Sequence, residues 1–597
     1  MRKSSVKALI IFIVFLFVFV SITPQDIMAS SGPIVNPKQT YNYSKMEKDI
    51  KALAKKYPDL ITYKVIGKSE YGRNIYAVSL GKGNSTVSIN GSHHAREWLT
   101  TNLNMYMIEQ YARAYKKNTK MGDYHVKTIL DNTTIWFVPM VNPDGVELQQ
   151  KGLSAFPSKD HQALLKMNKG SRDFKRWKAN AKGVDLNRQY NAGWKTIRNN
   201  APSPNYENHK GTKPHSSAET KAMVAFTYEI DPEMVVSYHS SGEILFWNYL
   251  QTGSRYNRDH AYAKKIGSMT GYRLVYPGPN PSGGGMTDWF VDVFKRPGFT
   301  PELGRYAGPT HLPISAFDRV WKQNKYVGLY VAQEGHKLYK QRLPEIAKTE
   351  VTKAEKLVKS LTKYRTYSTV NDVTYSSQYK KEYNASQKQI DLANDKVKQL
   401  SKGTTKTALQ NRLKEVKILQ DRSTAAIKAI QGGDKLLVES NRLLTDISKT
   451  ELTDELIKRR NTLSTNSAKQ KDRIALVTGT NNRKIMREKY TIPTNAFIKK
   501  LDNPIARFNK LKAIDRLLQS NNLDEAQKEL ESLSKMARSK DSFLAKVEAD
   551  LQKREQTLKA RYEKLLEESQ PQEEPVVEVL EEESLTESIE EDAIVNE

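Results

Sequence analysis

A chain of 597 residues is too long for one ordinary domain, and 38% hydrophobic residues suffice for at least one sizeable core. Lysine and arginine outnumber aspartate and glutamate 95 to 67, so the formal charge of +28 draws the chain toward polyanions such as nucleic acid, anionic lipid or anionic wall polymer. Cysteine is absent, which excludes disulfides, thiolate metal sites and lipid-modified cysteines.

The chain opens with Arg2, Lys3 and Lys7 ahead of an apolar run at 8–22, followed by Met28-Ala29-Ser30-Ser31. This pattern predicts a secretory signal over residues 1–29. The run is short for a spanning helix, which needs about 20 residues, so cleavage is preferred to an anchor. No later run is apolar enough to span a bilayer. The expected location is therefore secreted, extracellular or cell-wall associated. Export argues against nucleic acid as the polyanion and leaves wall polymer or phospholipid headgroups.

Residues 36–342 read as one α/β domain. Helical spacing at 46–54 precedes β-rich runs at 75–80, 86–90, 134–138 and 234–238, with helical patterns at 98–114 and 217–229. This alternation predicts a mixed β-sheet covered by helices on both faces. Near Leu343-Pro344 glycine and proline become scarce, and lysine, glutamine, leucine and alanine dominate. Residues 350–566 are expected to form a basic, all-α region of bundled or coiled-coil helices. Ile390, Ala393, Val397 and Leu400 mark one helical seam. Gly432-Gly433 and Thr491-Ile492-Pro493 read as breaks between helices. From Glu567 to 597 the chain is acidic and lacks lysine and arginine, which predicts a disordered tail.

Four pieces of the α/β domain carry chemistry. Gly91-Ser92-His93-His94-Ala95-Arg96-Glu97-Trp98 sits where an apolar strand meets a helix. His94 and Glu97, three residues apart, suit one Zn²⁺ ion; His93 is a rival but lacks that spacing. Asn142-Pro143-Asp144-Gly145 follows an apolar strand and reads as a turn. Arg176-Trp177-Lys178-Ala179-Asn180 and Val184-Asp185-Leu186-Asn187-Arg188 supply arginines, whose forked geometry matches a carboxylate. His239 closes a buried strand, and Glu302 lies in apolar surroundings that raise its pKa and suit it to general base catalysis. Taken singly, each piece is more often ordinary structure than a site.

Together and in this order, the pieces resemble the zinc carboxypeptidase family typified by carboxypeptidases A and B. The resemblance covers residues from about 36 to about 340. It implies one zinc per chain on His94, Glu97 and His239, and Glu302 as the base that activates water. It makes Arg176 the arginine that polarises the scissile carbonyl and Arg96 a further support for substrate. Asn187 and Arg188 would grip the terminal carboxylate. Three protein ligands leave one position of a tetrahedral zinc open, as a catalytic site requires. The family's mobile tyrosine is missing from its expected place: Asn280 stands near it, and Tyr276 is the nearest tyrosine. The position at the pocket floor falls on Thr287, neither aliphatic nor acidic.

The expected activity is a secreted metallocarboxypeptidase acting beside a free terminal carboxylate. Tyr238-His239-Ser240-Ser241-Gly242-Glu243 also resembles bacterial members that cleave γ-D-glutamyl–diamino acid bonds in peptidoglycan stem peptides, the alternative substrate. An inert wall-binding structural protein is the alternative of another class. The basic helical region is the candidate partner for anionic cell-wall polymer.

Overall fold

The computed structural model of the chain describes residues 32–570. The expected signal segment at 1–29 lies outside the described residues, as does the expected acidic tail beyond residue 570. The first residues of that tail, 567–569, belong to the helix Ala545–Ser569. Two compact units divide between Arg342 and Leu343. Among the described residues no helix is long and apolar enough to cross a membrane.

In the first unit nine strands form one mixed sheet. They are β1 (Ile61–Lys68), β2 (Asn74–Leu80), β3 (Ser85–Asn90), β4 (Thr133–Val138), β5 (Val235–Ser237), β6 (His239–Ser240), β7 (Ile244–Phe246), β8 (Arg273–Val275) and β9 (Gly298–Leu303). The spatial order is β1-β2-β4-β3-β5-β9-β7-β8, with β6 beside β9. The central strands β4, β3, β5 and β9 run parallel. Strands β1, β2 and β4 pair antiparallel, as do β9 and β7.

Alternating side chains serve two cores. Val87, Ile89 and Val236 pack with Ile50, Leu99 and Leu103 from the helices Tyr43–Lys56 and Leu99–Lys116. Val138 and Val235 face the other way, against Phe226 from Ala218–Ile230 and Phe290 from Met286–Phe294. Helices therefore cover both faces of the sheet, and its central strands are apolar on both sides. Parallel strands also end at one edge of the sheet. There the register sets Asn90 beside Ser237 and His239 beside Glu302. Ligands of open α/β sheets bind outside such carboxyl ends.

Asn142-Pro143-Asp144-Gly145 differs from its reading as a turn. Asn142 caps the helix Pro143–Lys151, its Oδ1 accepting from the Gly145 amide at 2.9 Å. Asparagine followed by proline serves helix starts as well as turns, because both need an oxygen acceptor and a preset φ.

The Glu219 carboxyl is buried without a cation. The Glu219 oxygens accept from the Glu70 amide at 3.4 Å and from Asn180 at 3.2 Å, and burial pushes its pKa up to about 8. The folded state thus holds this proton more tightly than the unfolded chain, whose value is near 4.5. Stability is undiminished below that value and falls as pH rises toward 8. Glu219→Gln, which cannot ionise, should match the wild type near pH 4.5. At pH 8 it should be more stable by about 1–3 kcal/mol, several degrees in a thermal melt. Equal melting shifts at both pH values would overturn this account.

The second unit is helical. Ile390, Ala393, Val397 and Leu400 are buried along or just after the helix Ser377–Gln399. Two expected breaks are corrected. The helix Thr404–Lys449 passes unbroken through Gly432-Gly433. A Cβ on Gly433 would fall 2.5 Å from the Tyr490 ring, so glycine serves a close approach there. At Thr491-Ile492-Pro493 the chain widens instead of stopping. Arg487–Thr491 forms a π-helical turn, and Pro493 sits in the first turn of Ile492–Lys500, where its missing N–H is of little consequence.

Candidate functional site

A single turn, Ala95–Glu97, follows His94 and folds Glu97 back onto it, with His94 Nδ1 2.7 Å from Glu97 Oε1. Glu97 Oε2 lies 2.9 Å from His239 Nδ1 and accepts from the Ser240 amide at 3.2 Å. The two Nδ1 atoms are 3.1 Å apart, and all three side chains are buried. One ligand atom from each residue lies within 4.8 Å of the others. Two imidazole nitrogens aimed at each other beside a carboxylate are better satisfied by a cation than by any placement of protons. Two nitrogens and one oxygen form a donor set suited to zinc. Burial alone would push Glu97 up, but His94 and His239 outweigh it and hold this carboxyl below the usual range.

His94 is steered from behind. Its Nε2 lies 3.1 Å from Asp185 Oδ1, which keeps Nδ1 turned toward the metal position. Asp185 is fully buried, and its Oδ2 also meets Lys178 Nζ at 3.1 Å and Arg188 Nε at 3.5 Å. Burial opposes ionisation of this carboxyl, yet Lys178 and His94 hold it well below the usual range. Sequence reasoning quoted Asp185 within its motif but gave it no task. The available signal was a carboxylate between Val184 and Leu186, where burial demands a partner. His93 stands apart from the metal group: its Nε2 meets the Tyr190 hydroxyl at 2.9 Å. Burial and the neighbouring His239 and His94 hold its pKa well below the ordinary histidine value.

Beside this group opens a cavity of about 490 Å³ lined by His94, Lys178, Asn187, Arg188, Thr287 and Glu302, among others. Burial and the charge of Glu97 push Glu302 up to about 7. Asn187 Oδ1 accepts from the Met286 amide at 3.0 Å, and the Thr287 and Thr300 hydroxyls are 2.8 Å apart.

Two expected arginines do not line the cavity. Arg176 stacks on the Tyr206 ring at 4.1 Å and donates to the Asn168 carbonyl at 3.0 Å, which turns it away. Lys178, two residues on, lines the cavity in its stead. Arg96 donates to the Arg176 carbonyl at 3.0 Å and pairs with Glu207 at 3.5 Å. Tyr276 meets His260 Nε2 at 3.0 Å and packs edge-on to Trp247, while the Asn280 carbonyl accepts from Arg198 at 3.1 Å. Neither Tyr276 nor Asn280 is among the lining residues.

The zinc carboxypeptidase family profile matches residues 46–327, and the SbsC C-terminal domain profile matches residues 363–495. Gamma-D-glutamyl-L-diamino acid endopeptidase 1 of Lysinibacillus sphaericus is 32% identical over 300 residues, covering 50% of this chain and 73% of its own. Carboxypeptidase B of Rattus norvegicus is 28% identical over 281 residues, covering 44% of this chain and 63% of its own. Among solved structures, that of thrombin activatable fibrinolysis inhibitor covers 52% of this chain and 79% of its own, at 20% identity and a TM-score of 0.42.

Proposed function

The chain belongs to the zinc carboxypeptidase family and is a zinc-dependent hydrolase; from that premise we propose that it cleaves the γ-D-glutamyl–L-diamino acid bond of peptidoglycan stem peptides. The observation that carries the proposal is the cavity lining. Thr287 and Thr300 place hydroxyls in a chamber whose other walls carry Arg188 and Lys178. The two hydroxyls give a charged leaving residue polar anchors in a cavity otherwise lined in part by Phe246, Trp247, Tyr249 and Val291. The likeness to a gamma-D-glutamyl-L-diamino acid endopeptidase points the same way. Ordinary removal of C-terminal residues from proteins is the second reading, favoured by the likeness to carboxypeptidase B.

His94, Glu97 and His239 would hold the zinc, which when bound would supply a Lewis acid to polarise the carbonyl and acidify water. The remaining tasks fall to the chain. Arg188, with Asn187, grips the free carboxylate of the leaving residue. Lys178 donates to the carbonyl oxygen as negative charge develops there. Glu302, unprotonated in part at neutral pH, takes the proton from attacking water and passes it to the departing amine. Asp185 acts through His94, Lys178 and Arg188 by positioning them. The test compares L-alanyl-γ-D-glutamyl-diaminopimelate with an α-linked hippuryl dipeptide. The stem peptide should have the higher kcat/KM by about 10²-fold or more, and a preference for the α-linked substrate would sink the proposal.

The second unit is proposed to hold the secreted enzyme at the wall by many weak cation–phosphate contacts. The motivation is that residues 350–566 hold 46 lysines and arginines against 27 aspartates and glutamates, a net charge of +19. The full chain should pellet with purified walls less well as salt rises, and less well after teichoic-type polymers are stripped. Pelleting indifferent to both treatments would refute it.

A further inference from the structure

A guanidinium of the second unit is buried with no carboxylate to receive it. Arg365 ends the short 3₁₀ helix Leu361–Arg365, which follows the helix Val327–Ser360, and is only 9% exposed. Its backbone is pinned: the Arg365 carbonyl accepts from Asn482 Nδ2 at 2.6 Å, and Asn482 Oδ1 accepts from the Tyr367 amide at 3.1 Å. Arg365 Nη2 donates to Thr362 Oγ1 at 3.1 Å, whereas Nε is sealed from solvent and has no acceptor among the described residues. Two residues on, the Tyr367 ring packs among Ile430, Ile474 and Met486, and its hydroxyl is likewise sealed without a partner. Burial pushes this hydroxyl up to about 12, so it keeps its proton and is able to donate.

Among the described residues Arg365 has no ion pair. Burial holds its pKa below the ordinary arginine value, and the titratable groups that act on it are Tyr379, Arg422 and Tyr367, none of them a carboxylate. Arg422 is exposed and precedes Ser423, whose carbonyl accepts from the Tyr379 hydroxyl at 3.4 Å. Carboxylates on the surrounding segments are engaged elsewhere. Glu382 takes Lys363 and the Tyr364 hydroxyl, and Asp372 takes the Ser368 and Thr369 amides. A buried charge without a counter-charge is costly, and so is a buried hydroxyl without a partner. Water accepts from either donor but leaves the charge unneutralised. One kind of partner meets both needs, an acceptor that carries negative charge, and the guanidinium fork matches two oxygens of such a group.

We propose that Arg365 and the Tyr367 hydroxyl form an anion site in the second unit, which takes a phosphate-type oxyanion with Arg422 as its outer cation. The site has no part in the hydrolysis. It is also distinct from the diffuse wall attraction proposed above, since it needs one oriented fork and not net charge. A free phosphate and a phosphodiester link of a polymer both offer the required oxygens.

The experiment titrates the zinc-loaded full chain by calorimetry at pH 7.5, with inorganic phosphate and separately with bis(glycerol) phosphate, a phosphodiester. Phosphate taken up by the metal is common to all variants and drops out of the comparison. The wild type should bind one or both probes at a site that Arg365→Met and Tyr367→Phe each weaken by about 10-fold or more. Arg365→Lys keeps the charge but loses the fork, and should recover only part of the affinity. Peptidase activity should be unchanged in all three variants. With no phosphate present Tyr367→Phe should melt no lower than the wild type, because the hydroxyl it removes has no partner in the protein. Binding of inorganic phosphate alone would assign the site to a free phosphate, and binding of the diester would extend it to a polymer. Failure of both probes, equal affinity in the wild type and the Met and Phe variants, or full recovery in Arg365→Lys would rule the site out.

Discussion

Glu302→Gln should bind zinc as tightly as the wild type and lose about 10²–10⁴-fold in kcat, the usual weight of a general acid–base group. Glu302 sits at the carboxyl end of β9 in register with His239, yet it is not one of the three residues whose ligand atoms converge. Its pKa of about 7 lets it accept a proton near neutrality and release it to an amine. Glutamine keeps the shape and one acceptor but cannot carry the proton. Zinc content measured on the purified variant separates the two possible failures. Loss of metal together with activity would make Glu302 a ligand, and full activity would remove it from the chemistry.

Lys178→Met should lower kcat by about 10²–10³-fold, the typical effect of removing one donor to a developing oxyanion. Arg176→Met should change kcat only a few-fold. The contrast follows from where the two cations go. Lys178 lies along the cavity, anchored 3.1 Å from Asp185, while Arg176 is spent on the Tyr206 ring and the Asn168 carbonyl. Lys178→Arg should recover part of the rate, since it restores a donor and a positive charge. If Arg176→Met proves the slower enzyme, the assignment is reversed.

These contrasts mark what the chain reveals before it folds. His94, Glu97, His239 and Glu302 were legible because their motifs lie at strand ends, and parallel strands bring those ends to one edge whatever the loops between them do. Which of Arg176 and Lys178 lines the cavity was not legible. Both flank the buried Trp177, and only the position of Tyr206, thirty residues downstream of Arg176, decides which cation is drawn away. Asp185 was hidden for a related reason. Its importance comes from convergence on His94, Lys178 and Arg188, and convergence is a property of tertiary structure. The Asn142 motif was ambiguous in kind, because the same residues that turn a chain also start a helix.

The long helix Thr404–Lys449 carries Gly432-Gly433 near its middle, and each glycine weakens a helix interior by about 1 kcal/mol relative to alanine. Judged by local preference alone, this is a hinge. The Tyr490 ring lies over Gly433 with its hydroxyl 2.8 Å from Asp434, and the π-helical turn Arg487–Thr491 carries that ring. The helix therefore runs unbroken through these glycines with a ring from elsewhere in the chain packed over Gly433. The continuity of this helix belongs to the assembled bundle, because the ring that covers Gly433 comes from a different helical segment.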